Sequence, residues 1–153
     1  MVIVAPHTSN WDYVIGIVTV FALGLRASYL GKHSLFRGPL GWFVRETGGI
    51  PVDRNAAIGV VERVVALVRR ADRIVLALAP EGTRKRVLGW KSGYYRIALG
   101  AGVPILPVAF DYSRRAVVFM ELVTPSGDHE RDEAALRALY APSMARHPES
   151  YSP

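Results

Sequence analysis

The sequence predicts an α/β fold, a mixed and largely parallel sheet flanked by helices. Three observations carry that expectation. Short apolar runs recur at residues 2–5, 50–52, 73–79 and 105–110; stretches with helical apolar spacing lie between them; and Gly, Pro, Ser or Asn stands at the junctions. The 153 residues, half of them apolar and 21% charged, suit one domain around one core.

Residues 2–5 (VIVA) make a buried strand ended by Pro6. Thr8, Ser9 and Asn10 then supply helix-starting side chains before a helix over 11–25. Its uncharged stretch, 13–25 between Asp12 and Arg26, is too short to cross a bilayer, so it reads as a core or interfacial helix. Residues 28–31 are a second extended segment. Gly38-Pro39 breaks the chain, and a helix over 40–46 is stopped by Gly48-Gly49 before the brief strand at 50–52.

Ile58, Val61, Val65 and Val68 recur at helical spacing while Glu62, Arg63, Arg69 and Arg70 fall elsewhere, which predicts an amphipathic helix lying on the sheet. Residues 73–79 (RIVLALA) read as a central strand covered on both faces. A short helix over 94–99 ends at Gly100 and Gly102, strands follow over 105–110 and 116–123 to give a mixed edge, and a last helix covers 130–140. The domain is assigned to residues 1–141. Residues 142–153, with Pro, Ser and Glu but no apolar periodicity, read as a loose C-terminal tail.

Nineteen Lys and Arg against thirteen Asp and Glu leave +6, a charge that favours anionic partners such as phosphate esters, CoA, acidic lipid surfaces or nucleic acid. No cysteine is present, which excludes disulfides, a thiolate nucleophile, an acyl-cysteine intermediate and Cys-ligated zinc. The opening MVIVAP has neither a basic leader nor a small-residue cleavage site, so the expected location is cytoplasmic.

Four segments hold candidate chemistry. His7 and Asp12 stand five apart across a strand-to-helix turn, where a carboxylate can orient an imidazole that takes a proton from a hydroxyl. Ser9-x-x-Asp12 is also a capping-box pattern, and spacing alone favours the cap. Ala79-Pro80-Glu81-Gly82-Thr83-Arg84 follows the strongest strand, at the strand end where open α/β sheets place ligands; Gly82 permits close backbone approach and Arg84 offers a planar fork for phosphate. Lys85, Arg86 and Lys91 add charge nearby, although a solvated cationic turn has the same composition. Gly48-Gly49-Ile50-Pro51-Val52-Asp53-Arg54 brings Arg54 to another strand end, and by itself reads as a glycine turn with a surface pair. Val103-Pro104-Ile105-Leu106-Pro107-Val108 has the prolines of an edge strand and the apolarity of a channel lining. G-x-S-x-G, G-x-G-x-x-G and H-E-x-x-H are absent, and His33, His129 and His147 have no companions at metal-ligand spacing.

Taken in order, PHTSNWD, GGIPVDR, APEGTR and VPILPV resemble the four motif blocks of the glycerolipid acyltransferase family, whose best-known members are the lysophosphatidic acid (1-acylglycerol-3-phosphate) acyltransferases. The resemblance runs to about Tyr140. It implies a glycerol-3-phosphate acyltransferase-like fold and transfer of a fatty acyl group from acyl-CoA or acyl carrier protein, as co-substrate, to the hydroxyl of a lysophospholipid such as 1-acylglycerol-3-phosphate. No acyl-enzyme, metal or cofactor is implied. On this resemblance His7 is the general base and Asp12 orients it. Glu81, Gly82, Thr83 and Arg84 match the family's acceptor-phosphate site, with Arg54 and Lys91 adding charge. Val103, Pro104, Ile105 and Pro107 would border the acyl-donor path. The chain departs from the family pattern at Pro51, where a bulky apolar residue is usual, and at Lys85, where serine is common; His7 also lies close to the start, as in a short form lacking the N-terminal region. A second reading is a non-catalytic phospholipid- or phosphate-binding module that retains the pocket without turnover. Residues 13–25, with Phe36, Trp42 and Phe43 beside Lys32, Arg37 and Arg45, suggest peripheral contact with an anionic membrane at its inner face, unless these aromatics are core. No nucleic-acid partner is expected, since no recognition motif appears.

Overall fold

Residues 1–52, 59–83 and 86–152 are described by the computed structural model. Six strands, β1 (Val2–Val4), β2 (Ala27–Lys32), β3 (Gly49–Val52), β4 (Val75–Leu78), β5 (Ile105–Asp111) and β6 (Ala116–Phe119), form one sheet in the order β3-β2-β4-β1-β5-β6. Every pairing is parallel except β5 with β6, so the sheet is largely parallel with one antiparallel edge, as the sequence predicts. The carboxyl ends of β1 to β5 therefore share one edge, and the motif segments that follow β1 and β4 come together because those strands are neighbours.

Alternation along the strands separates two faces. Val2, Val4, Leu76, Ile105 and Ala109 point into the main core, which is closed by Val64 and Val68 of α3 (Val60–Arg70), Ile97 and Ala98 of α4 (Gly93–Ala101) and Leu136 of α5 (His129–Arg137). Ile58 of the predicted apolar stripe lies outside the described residues. Val64, which that stripe omitted, is one of the two buried positions of α3.

On the other face Ile3, Ala5 and Val108 are buried, but Val75 and Ala77 of β4 are only partly so. β4 is central, as expected, and its two faces are covered unequally. Two helices lie on this side, α1 (Asn10–Ala22) and α2 (Gly38–Glu46), tied to the sheet through Tyr29, whose register partner is Ala77. The Tyr29 hydroxyl bonds Tyr13 of α1 at 2.7 Å and Thr47, at the end of α2, at 2.8 Å. Of the α1 side chains only Asp12 is buried, so this layer covers the sheet thinly.

Helix limits shift for local reasons. α1 ends at Ala22, before the predicted 25, because Gly24 turns the chain at φ +63. α2 starts at Gly38 since proline is tolerated in a first turn. α4 runs through Gly100, where a Cβ would stand 3.1 Å from Val65 Cγ2 of α3, and stops at Gly102 with φ +67. α5 ends at Arg137, leaving Tyr140 beyond it with its hydroxyl donating to the Val4 carbonyl at 2.9 Å.

Pro104 before β5 and Pro107 within it do not make it an edge strand; it lies between β1 and β6. Ile105 bridges Val123 while Val108 pairs with Phe119, so the antiparallel ladder slips by one residue around Pro107. A bulge of this kind accommodates a residue that has no N–H, and the Pro107 carbonyl accepts from Met120 N at 3.0 Å.

Nor is the C-terminal segment a loose tail. Two 3-10 turns, Pro142–Met144 and Pro148–Ser150, dock on the domain, and Ser152 is 2% exposed. Met144 and Tyr151 pack against the main core, and polar contacts fix the segment in place. Tyr112 N donates to the Met144 carbonyl at 2.9 Å, the Tyr151 hydroxyl to the Tyr140 carbonyl at 3.0 Å, and Val87 N to Ser152 Oγ at 3.1 Å. Among the described residues, no helix is long and apolar enough to cross a membrane.

Candidate active site

β1 delivers His7 to the carboxyl edge of the sheet. Its Nδ1 lies 2.6 Å from the Ala5 carbonyl oxygen. A carbonyl can only accept, so this contact places the proton of a neutral imidazole on Nδ1 and the lone pair on Nε2. The ring also meets Phe110 edge-on at 5.6 Å, on the thinly covered face.

The next residues start α1 with a capping box. Ser9 Oγ accepts from Trp11 N at 3.2 Å, and Asp12 Oδ2 accepts from Ser9 N at 2.8 Å and Thr8 N at 2.7 Å. The capping reading of Ser9-x-x-Asp12 therefore holds, and the carboxylate grips the turn that carries His7. Its other oxygen, Oδ1, accepts the Tyr112 hydroxyl at 2.6 Å.

The loop after β4 closes on this turn from the neighbouring strand. Glu81 is buried, and its Oε2 accepts the His7 backbone N–H at 3.2 Å. Burial pushes its carboxyl up to about 7, the His7 N–H acting against that rise and the Asp12 charge adding to it. Gly82 has φ +64, and a Cβ there would meet the Lys91 side chain at 3.1–3.2 Å, so Lys91 lies over the loop as the sequence suggests. Lys91 N also donates to the Pro80 carbonyl at 2.9 Å. Thr83 continues the same loop, half-buried. Arg84, Lys85 and Arg54 lie outside the described residues.

Between the His7 turn and the C-terminal segment is a cavity of about 30 Å³, lined by Pro6, Thr8, Asp12, Tyr112, Met144 and Tyr151 among others. It has room for a water or two and not for a substrate. Among the described residues no group of three or more His, Cys, Asp or Glu could hold a metal ion.

The fourth segment is placed differently from its expected role. Val2 pairs with Ile105 and Val4 with Pro107, so Val103 and Pro104 stand at the amino-terminal edge of the sheet, opposite His7. Ile105 and Pro107 are fully buried inside it. None of the four borders the His7 crevice, because a strand parallel to β1 presents its far end there. That end supplies Phe110 and Tyr112 instead, both overlooked in the sequence together with Arg146, whose guanidinium lies 5.5 Å from the Trp11 ring. For Phe110 a signal was available, since alternation carries it onto the face of Val108. Tyr112 and Arg146 gave none.

Residues 1–111 match the family described as Acyltransferase. The 1-acyl-sn-glycerol-3-phosphate acyltransferase of Salmonella typhimurium is 31% identical over 156 aligned positions, covering 90% of this chain and 61% of that protein. The enzyme of the same name from Escherichia coli K12 is 36% identical over 115 positions, covering 69% of this chain and 44% of its own. The crystal structure of the LPA acyltransferase PlsC from Thermotoga maritima superposes with a TM-score of 0.68 at 21% identity, covering 91% of this chain and 62% of that one, which establishes a shared fold. The chain thus spans about 61% of the length of the Salmonella relative.

Proposed function

The chain belongs to the Acyltransferase family, and from that premise we propose that it is an O-acyltransferase moving a fatty acyl group from an acyl thioester, of CoA or of acyl carrier protein, to the hydroxyl of a lysophospholipid such as 1-acylglycerol-3-phosphate. The observation that carries the reading is the convergence of the first and third motif segments, with Glu81 holding the backbone of His7 at the open edge of the sheet.

In this mechanism His7 Nε2 takes the proton of the acceptor hydroxyl as its oxygen attacks the thioester carbonyl. The tetrahedral oxyanion collapses, the carbon–sulfur bond breaks, and the thiolate leaves as thiol with the proton from the imidazolium. The Ala5 carbonyl fixes the tautomer. Asp12 supplies the negative charge that balances the imidazolium and holds the turn in place. Lys91 at the Gly82 loop, with Arg84 and Arg54 by family resemblance, would attract the acceptor phosphate. No step needs a thiol or a metal.

We also place the reaction at a membrane surface, since its acceptor is a lipid. Trp11, Val14, Val18, Phe21 and Leu25 form an exposed stripe at helical spacing along and just beyond α1, and Trp42 and Phe43 of α2 are exposed on the same side of the sheet. Lys32, Arg37 and Arg45 stand exposed around α2. Phe36, grouped with these aromatics in the sequence, is instead buried, with the Arg45 guanidinium 5.7 Å from its ring.

Thiol release from palmitoyl-CoA in the presence of lysophosphatidic acid tests the assignment. His7→Ala is expected to lower kcat by about a thousandfold. Arg84→Ala is expected chiefly to raise KM for the acceptor. A folded native chain that binds lysophosphatidate but releases no thiol with either class of donor would instead identify a binding module.

A further inference from the structure

Asp12 is buried, and among the described residues its carboxylate has three donors. Two are the N–H groups of Thr8 and Ser9, in the same turn, as in any capped helix. The third is the Tyr112 hydroxyl, on Oδ1 at 2.6 Å, from a residue one hundred positions away in the chain. An O–H···O⁻ bond of that length belongs to the strong, charge-assisted class. Tyr112 directly follows β5, and its orientation is set from the other side by the C-terminal segment. The Met144 carbonyl accepts its backbone N–H at 2.9 Å. The Arg146 guanidinium stands 5.8 Å from its ring and 5.5 Å from the Trp11 ring, so it lies against both aromatics. Neither Tyr112 nor Arg146 falls in the four motif segments or in the residues matched to the family.

We propose that Tyr112, braced by Arg146, is a positioning residue for the Asp12 carboxylate in acyl transfer. The backbone bonds fix Oδ2 alone and leave the carboxylate to pivot about it; the hydroxyl on Oδ1 fixes its plane. A carboxylate held in one plane keeps the His7 turn, and the field that stabilises the imidazolium, in place without reorganisation during reaction. Acyl transfer thereby depends on the C-terminal segment, through the brace on Tyr112. The rate effect rests on the acyl-transfer reading; the contact does not.

Two measurements on the full chain test this. In the thiol-release assay Tyr112→Phe should lower kcat by about tenfold with both KM values within about twofold of native, the size expected for one hydrogen bond to a charge. Arg146→Met should act in the same direction and less. In protein labelled with ¹³C at tyrosine Cζ, the resonance missing from Tyr112→Phe should move upfield in Asp12→Asn at neutral pH, because the phenol then donates to a neutral acceptor. A purely structural tyrosine would give no loss confined to kcat, while the Cζ signal checks that its hydroxyl donates to the Asp12 carboxylate. Native kcat in Tyr112→Phe, a loss residing in KM, or an unmoved Cζ resonance overturns the proposal while leaving the acyl-transfer reading intact. A native chain that transfers no acyl group overturns both.

Discussion

Glu81 combines near-complete burial with a bond to the backbone of His7, and burial lifts its carboxyl from an ordinary value of 4.5 to about 7. Between these values the unfolded chain has ionised this group while the native chain still holds its proton. The native state therefore binds more protons, and its stability falls as pH rises through that window, by about 3 kcal/mol from end to end. Glu81→Gln cannot ionise and still offers an oxygen to the His7 N–H. Calorimetric Tm measured at pH 5 and pH 8 should drop less for Glu81→Gln than for the native chain; an equal drop in both would show that Glu81 ionises as freely in the fold as in water. His7, Asp12 and Glu81 were legible in the sequence because each sits in a run of adjacent residues at a strand end. Tyr112 was not, because its contact with Asp12 exists only once β5 is known to lie beside β1.

At the scale of elements, Gly48 before β3 and Gly49 at its start are both closed to a side chain, Gly48 by its φ as well as by the Ala27 carbonyl, Gly49 by close approach alone. Gly48 has φ +89, so it ends α2 in a conformation that disfavours side chains. Gly49 has no such φ, yet a Cβ there would lie 2.5 Å from the Val44 carbonyl oxygen and 2.7 Å from Val44 Cγ1. It is glycine because β3 passes against the last turn of α2. Gly49→Ala should therefore cost about 2 kcal/mol in urea unfolding despite the lower entropy of the unfolded alanine chain. An unchanged midpoint would mean that α2 yields freely. Strands and helices were legible in order because apolar period and glycine punctuation are local properties. Strand order was not, and it is order that placed Val103 and Pro104 at the edge away from His7. The docked C-terminal segment escaped for a related reason: its hold lies in single hydrogen bonds from Tyr112, Tyr151 and Val87 and in two isolated side chains, Met144 and Tyr151, packed on the core, which leave no periodic trace.

For the whole molecule the decisive asymmetry is between the two faces of the sheet. One carries the main core under α3, α4 and α5; the other carries α1 and α2 with their apolar side chains outward, Phe21 and Trp42 each 67% exposed. Net charge +6 adds attraction to an anionic surface, screened by salt beyond about 10 Å at 0.1 M. If this face rests on lipid, Val18 and Phe21 leave water on binding, and together they contribute about 3 kcal/mol, roughly a hundredfold in partitioning. Both are exposed and the main core does not use them, so Val18→Asp with Phe21→Asp should leave Tm within about 2 °C of native. In flotation with vesicles of mixed phosphatidylcholine and phosphatidylglycerol, the native chain should rise with the lipid at low salt and less at high salt, while the double variant stays at the bottom. Equal flotation by both would move the contact away from α1. Absence of native binding to anionic vesicles at low salt would remove the membrane from the proposal and require the acceptor to arrive as a monomer or micelle.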